Sequence, residues 1–222
     1  MMTQGEGEGE GEGEGEGEGE AGLEAPPATG EDGAGGAAQW LPGGWLAAAQ
    51  RRPCPNFGAR PAGAGVTLAL IHSISLPPGV YGGDAVERLF ANRLDWDEHP
   101  YYGLIRGLEV SAHFLLRRDG ELLQFVGCDD RAWHAGRSCW RGRGNCNDYA
   151  VGIELEGLEG DPFEAAQYER LATLLQALRA RYPIEGVAGH EHVAPGRKRD
   201  PGPGFDWPRL HALTRWPRRC FP

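Results

Sequence analysis

Short apolar runs separated by turn-forming residues set the pattern of the chain from Trp40 onward. Runs of this kind, rich in β-branched residues, predict buried strands. Five segments have this character: 66–72, 108–117, 121–126, 149–157 and 186–190. Asp119-Gly120 lies between the second and third of them, and an Asp-Gly pair in that position predicts a β-hairpin.

Apolar residues at helical spacing mark three further segments: 84–94, 161–182 and 206–215. In segment 161–182 the apolar side chains share one face, and we predict that Asp161 caps this helix with Pro162 in its first turn. Helices alternate with strands, and one connection is a hairpin. This order predicts a single-domain α/β fold with a mixed central β-sheet flanked by helices.

The first 38 residues depart from this pattern, because they contain a Gly-Glu repeat at 5–20 and then a segment rich in Ala, Gly and Pro. The Gly-Glu repeat offers no apolar surface to offset chain entropy, and its like charges repel one another. We therefore predict a disordered acidic tail and linker over 1–38 and a folded domain over 39–222. An electrostatic regulatory arm is the alternative to a solvated tail without specific function.

The formal net charge of -10 belongs to this tail. Residues 1–38 hold eleven of the 32 acidic residues and no basic one, which leaves 21 acidic against 22 basic residues in 39–222. A nearly neutral domain without a basic stripe is not a typical nucleic-acid binder. No apolar run approaches the roughly 20 residues that cross a bilayer. We expect a monomer with a small-molecule substrate and neither nucleic acid nor membrane as a partner.

The five cysteines indicate the compartment. Their number is odd and no CxxC pair occurs, which argues against a disulfide framework and against a cysteine zinc site. The N-terminus also lacks the positive and apolar regions of a signal peptide. Reduced thiols together with this N-terminus predict a cytoplasmic protein.

Two histidines and an aspartate form a candidate metal site. His72 and His190 end apolar strand-like runs, at the sheet edge where ligands bind in open α/β folds. Asp200 follows in a loop rich in Pro and Gly. Two imidazoles and one carboxylate suit a catalytic Zn²⁺, which keeps its fourth position for water. A structural role for these histidines is the alternative, and His192 is the main rival ligand.

Lys198 and a pair of glutamates are candidate catalytic residues. Lys198 is the only lysine among the 22 basic residues. We predict that its compact ammonium is needed beside a developing oxyanion. The alternative is that this single lysine persists by chance. Glu154 and Glu156 share one face of their strand, because side chains alternate. One of them could hold the attacking water and accept its proton, or both could line the exposed face of an edge strand.

Trp133 and His134 are candidates for a substrate-binding wall, since an indole ring can stack on the apolar face of a ligand. The alternative is core packing for Trp133 and a structural hydrogen bond for His134. His113 alternates with apolar neighbours, and we expect it to be a hydrogen-bonded core histidine.

The chain resembles the AmpD-type 1,6-anhydro-N-acetylmuramyl-L-alanine amidases over about residues 40–216. The resemblance lies in five segments in the family's order: VTLALIHSISLPPGVYGG, VSAHFLLRRDGELLQFV, DDRAWHAG, NCNDYAVGIELEG and GHEHVAPGRKRDPGPGFDW. It implies a zinc-dependent enzyme that cuts the amide between anhydro-muramic acid and L-alanine in cell-wall fragments. In the family pattern the metal ligands fall on His72, His190 and Asp200. The strand glutamate falls on Glu154, and the transition-state lysine falls on Lys198.

Two residues depart from the family pattern. Ser73 follows the first ligand where we expect Asn in the closest members, and Glu109 stands where some members carry a basic residue that could meet the peptide's carboxylate. Both departures concern contacts to the peptide rather than the zinc chemistry.

Two other functions remain open from the sequence. One is a lytic amidase that acts on intact peptidoglycan, and the other is a non-catalytic peptidoglycan-binding module of the same fold. The complete set of His72, His190, Asp200, Glu154 and Lys198 favours an enzyme over a pure binder. A generic zinc peptidase is disfavoured, because no HExxH motif occurs.

Overall fold

The computed structural model describes residues 38–222, and within them twelve strands and five helices follow in chain order. Strands β1 to β12 are Trp40–Leu41, Trp45–Leu46, Gln50–Arg51, Phe57–Ala59, Leu68–Ile74, Phe114–Leu116, Leu122–Gln124, Asp130–Ala132, Cys139–Trp140, Arg143–Gly144, Ala150–Glu156 and Gly186–Gly189. Helices α1 to α5 are Ala85–Phe90, Pro100–Leu104, Ala165–Arg181, His190–Val193 and Trp207–Thr214. Two 3-10 helices cover Cys146–Asp148 and Arg218–Cys220. The tail predicted over 1–38 lies outside the described residues, apart from Ala38.

Six strands form the central sheet, in the order β12-β5-β11-β6-β7-β3. The first four are parallel to one another, β6 and β7 are antiparallel, and β3 is parallel to β7. The predicted hairpin at Asp119-Gly120 connects β6 to β7, and across its turn the Arg117 N–H donates to the Glu121 carbonyl at 2.9 Å. The prediction of a mixed central sheet flanked by helices is confirmed.

The two central strands, β5 and β11, are covered on both faces, and their side chains alternate between two cores. The odd-numbered residues pack with α3 in the larger core: Ala69, Ile71, Val151, Ile153 and Leu155. Leu68, Leu70 and Ala150 pack in the core on the opposite face. Because side chains alternate along a strand, His72 and Glu154 lie on the face away from α3.

Helix α3 begins later than the sequence predicts. It starts at Ala165 with Glu164 as its N-cap, so the prediction of Asp161 as the cap is wrong. Gln167 sets the start: its Oε1 accepts the Glu164 N–H at 3.0 Å, and its Nε2 donates to carbonyl oxygens of β6 and β11. The non-helical chain before it delivers Phe163 into the core, where this side chain is buried.

Several predicted strands extend beyond the observed strands, and two of these differences concern the candidate site. The run 108–117 forms a strand only in β6, and Leu108 and Val110 line a cleft instead. Strand β12 ends at Gly189, so His190 is the first residue of α4 rather than the last of a strand. Both differences involve residues that line the cleft of the candidate site.

Candidate active site

The candidate chemistry lies at the carboxyl ends of three parallel strands. His72 is near the end of β5, Glu154 is its register partner on β11, and His190 directly follows β12. Asp200 reaches the same place from the loop after α4. A cleft of about 570 Å³ opens there, and all four residues line it. This edge is the usual ligand position in open α/β sheets.

Three donor atoms converge at the bottom of this cleft. His72 Nδ1 lies 3.0 Å from His190 Nδ1, and each of these nitrogens lies 3.1 Å from Asp200 Oδ2. The three residues are between 2% and 9% exposed. Among residues 38–222, these three residues form the group of His, Cys, Asp and Glu side chains whose ligand atoms lie close enough together to share a metal ion.

The proton positions around these atoms fit a bound cation. His190 Nε2 lies 3.1 Å from the Ala135 carbonyl oxygen, which can only accept, so this contact favours the tautomer with its proton on Nε2 and a free electron pair on Nδ1. Ionised Asp200 offers only acceptor oxygens. Electron pairs 3.0–3.1 Å apart repel unless a positive charge lies between them. The spacing also lets each atom lie about 2.0–2.1 Å from a shared Zn²⁺.

Burial and mutual contacts set the charges of this group. Burial lowers the pKa of His72 to about 4, so its imidazole is neutral at pH 7, the form that binds metals. Burial acts to raise the pKa of Asp200, but the close His190 and His72 imidazoles outweigh it and hold that pKa well below its usual value. A carboxylate beside neutral imidazoles suits a divalent cation.

Glu154 adds a buried carboxyl group with a free oxygen. Its Oε2 has no hydrogen-bond partner among the described residues. Burial, and after it the Asp200 carboxylate, raise the pKa of Glu154 well above its usual value, while Lys198 opposes this shift. Lys198 lines the same cleft. A carboxyl group with a raised pKa that faces a cleft is suited to proton exchange near neutral pH.

Glu156 has a different environment, although it shares the strand face. Its Oε1 accepts the Gly82 N–H at 2.7 Å and Arg117 Nη1 at 2.9 Å, and its Oε2 accepts the Arg118 N–H at 3.2 Å. These bonds engage both oxygens, one with the loop before α1 and both with the hairpin between β6 and β7. Both glutamates are buried on a strand that lies between two others, so the alternative of an exposed edge strand is wrong.

Comparison with known proteins agrees with this geometry. The family model of N-acetylmuramoyl-L-alanine amidase matches residues 63–203. The chain belongs to this family. The resemblance noted from the sequence is therefore confirmed.

Similar relatives match this chain over most of its length. The 1,6-anhydro-N-acetylmuramyl-L-alanine amidase AmpD of Enterobacter cloacae is 48% identical over 175 residues, which cover 78% of this chain and 94% of the relative. AmpD of Escherichia coli (strain K12) is 47% identical over 173 residues, covering 77% and 94%. The crystal structure of a selenomethionine AmpD derivative superposes with a TM-score of 0.76 at 49% identity, covering 79% of this chain and 99% of that chain.

Trp133 and His134 both lie at the cleft of the amidase. His134 Nδ1 is 3.0 Å from His72 Nε2, so this ring contacts a candidate ligand from behind. Substrate contact stays a prediction for both residues. The cleft also has an apolar lining that includes Tyr101 and Ile105, which no sequence pattern singles out. They come from a short helix and the turn after it, where no periodic pattern could reveal them.

The other histidines have structural partners. His192 Nδ1 accepts the Gly189 N–H at 3.0 Å, and the His192 ring packs against Trp207, so this rival ligand lies outside the metal-binding group. His113 Nδ1 accepts the Gly152 N–H at 2.9 Å, while its Nε2 lies 3.1 Å from the Asp130 carbonyl oxygen. His113 is thus the hydrogen-bonded core histidine that the sequence predicts.

All five cysteines are free, and four of them are buried. Among the described residues, no helix has the length and apolar character needed to cross a bilayer.

Proposed function

We propose that the protein is a zinc-dependent amidase that hydrolyses the bond between anhydro-N-acetylmuramic acid and L-alanine in peptidoglycan fragments, within cytoplasmic cell-wall recycling. Family membership supports this substrate, and so does the activity for which the AmpD relatives are named. The observation that carries the proposal is the convergence of His72, His190 and Asp200 within hydrogen-bond distance, beside the unpartnered oxygen of Glu154.

In this proposal His72, His190 and Asp200 hold the metal. A bound Zn²⁺ supplies Lewis acidity, which polarises a carbonyl group and makes water more acidic. Glu154 orients the attacking water, accepts its proton, and then passes that proton to the leaving amine of L-alanine. The buried position of Glu154 suits both steps, because its raised pKa brings the protonated and ionised forms closer in free energy near neutral pH.

Lys198 and Trp133 complete the proposed site. The carbonyl oxygen under attack gains negative charge, and the Lys198 ammonium stabilises that charge from the cleft wall. The indole of Trp133 packs on the sugar, and His134 lies beside it at the bottom of the cleft.

The test is an assay of free peptide by mass spectrometry. Purified wild-type protein is incubated with anhydro-muropeptide, with and without a chelator. The zinc-loaded variant Glu154→Gln is incubated with the same substrate in parallel. We expect release of the peptide by the wild type, loss of release with chelator, and about 10²-fold or greater loss in the folded variant. Release that is indifferent to the chelator would contradict the zinc chemistry, and an active variant would move the base role elsewhere.

The same assay with intact sacculi separates the rival functions. Comparable peptide release from sacculi would favour a lytic amidase, and binding of muropeptide without any release would favour a non-catalytic module.

A further inference from the structure

The outer nitrogens of both candidate imidazole ligands contact one two-residue segment. His72 Nε2 lies 3.0 Å from His134 Nδ1, and His190 Nε2 lies 3.1 Å from the Ala135 carbonyl oxygen. Arg197 Nη2 also donates to this carbonyl, at 2.7 Å. The segment His134–Ala135 therefore contacts both ligands on the side away from the metal position.

One side-chain oxygen holds this segment in place. Asn147 Oδ1 accepts the His134 N–H at 3.1 Å and the Ala135 N–H at 2.8 Å. Asn147 is 7% exposed and belongs to the 3-10 helix that leads into β11. The His134 ring rests on the same strand, because a Cβ at Gly152 would lie 2.5 Å from His134 Cγ. The anchor and the segment are thus both fixed to the central strand.

We propose that Asn147 is a positioning residue of the metal centre, which acts on both histidine ligands through His134 and Ala135. The inference rests on the metal site of the proposed function. Groups that hydrogen-bond to the outer nitrogen of a ligating histidine fix its tautomer and ring orientation, and their loss typically weakens metal binding about 10–100-fold. Here a single amide oxygen supports two such contacts.

These contacts indicate which ring nitrogens carry a proton when zinc is bound. With metal on both Nδ1 atoms, His72 donates its Nε2 proton to His134 Nδ1, and His190 donates its Nε2 proton to the Ala135 oxygen. His134 is then an acceptor at Nδ1 and carries its own proton on Nε2. Removal of the Asn147 oxygen frees the two backbone N–H groups that hold these acceptors in position.

The test measures zinc affinity by competition with a chromophoric chelator, for the full-length wild type and three variants. Asn147→Ala removes the acceptor, and we expect about tenfold or greater weakening of zinc binding. Asn147→Asp keeps an oxygen in place, and we expect affinity within about threefold of the wild type. Asn56→Ala is the matched control, because Asn56 is also buried but its side chain bonds to the Phe90 and Val110 carbonyls rather than to the His134–Ala135 segment.

Each result decides the proposal. It is overturned if Asn147→Ala binds zinc as tightly as Asn56→Ala, or if Asn147→Asp loses as much affinity as Asn147→Ala. If the alanine variant does not fold, Asn147→Ser replaces it under the same criterion, since its shorter side chain cannot reach both N–H groups.

Ring ¹⁵N NMR of the zinc-loaded wild type gives a second reading, and ligation through Nε2 of either histidine would also overturn the proposal. If the wild type binds no zinc, that result would instead contradict the proposed function.

Discussion

At the scale of single residues, the partner of each nitrogen distinguishes a candidate ligand from a structural histidine. The sequence predicts His72 and His190 together, because both follow apolar runs whose ends meet at one edge of the sheet. Residue type could not separate His190 from His192. Their hydrogen bonds do, since the Gly189 N–H occupies His192 Nδ1, whereas the Ala135 carbonyl leaves His190 Nδ1 free. Backbone carbonyls have no signature in a sequence, so this part of the site could not be predicted.

The role proposed for Lys198 gives a prediction at this scale. Lys198→Ala removes the ammonium that would meet the developing oxyanion, and we expect kcat to fall about 10²–10³-fold with little change in substrate binding. Steady-state kinetics and a separate binding measurement with product check this. Lys198→Arg is the matched control, because it keeps the charge but spreads it over a wider planar group, and we expect it to recover only part of the rate. Equal losses in binding and turnover would contradict the role.

At the scale of elements, strand β11 organises the site. Its alternation predicts that Glu154 and Glu156 share a face, and the structure bears this out. The two glutamates differ because of tertiary contacts. Arg117 of the hairpin and Gly82 of a loop donate hydrogen bonds to Glu156. One carboxyl oxygen of Glu154 has no partner among the described residues. No pattern within the strand contains that information. The late start of α3 has the same origin, because contacts of Gln167 with two strands override the local capping signal at Asp161.

Gly152 of β11 supplies a prediction about this element. A Cβ there would lie 2.5 Å from His134 Cγ, so Gly152→Ala forces the ring or the strand to move. We expect a loss of about 1–3 kcal/mol in the free energy of unfolding, as for other overpacked sites, and weaker zinc binding because His134 contacts His72. Urea denaturation and chelator competition measure the two effects.

The matched control for this change is Gly58→Ala. Gly58 lies in strand β4, and a Cβ at that position meets nothing within 4 Å. We expect this variant to behave as the wild type in both measurements. If Gly152→Ala also matched the wild type, the close packing of His134 on β11 would have no energetic importance.

At the scale of the whole molecule, the sheet and the candidate ligands were predictable because they depend on periodic patterns and on strand order. The apolar lining of the cleft was not, because residues such as Tyr101 and Ile105 come from a short helix and the turn after it. A consequence of the sheet's architecture is that the ligands come from positions 72, 190 and 200, so that a bound ion links distant parts of the chain. Metal binding and folding stability are therefore expected to be coupled.

This coupling gives the last prediction. A ligand that binds only the folded state stabilises it by RT ln(1 + [L]/Kd), which is about 2.7 kcal/mol when free zinc is 100 times Kd. For a domain of this size we expect Tm with zinc to exceed Tm with chelator by roughly 5–10 °C. Asp200→Ala should abolish most of this difference, because it removes one of three ligands. Glu154→Gln should retain it, since Glu154 lies beside the metal position but is not a ligand in the proposed site. A zinc-dependent shift that survives in Asp200→Ala but is lost in Glu154→Gln would reverse the assignment, because the metal would then depend on the strand glutamate rather than on the loop aspartate.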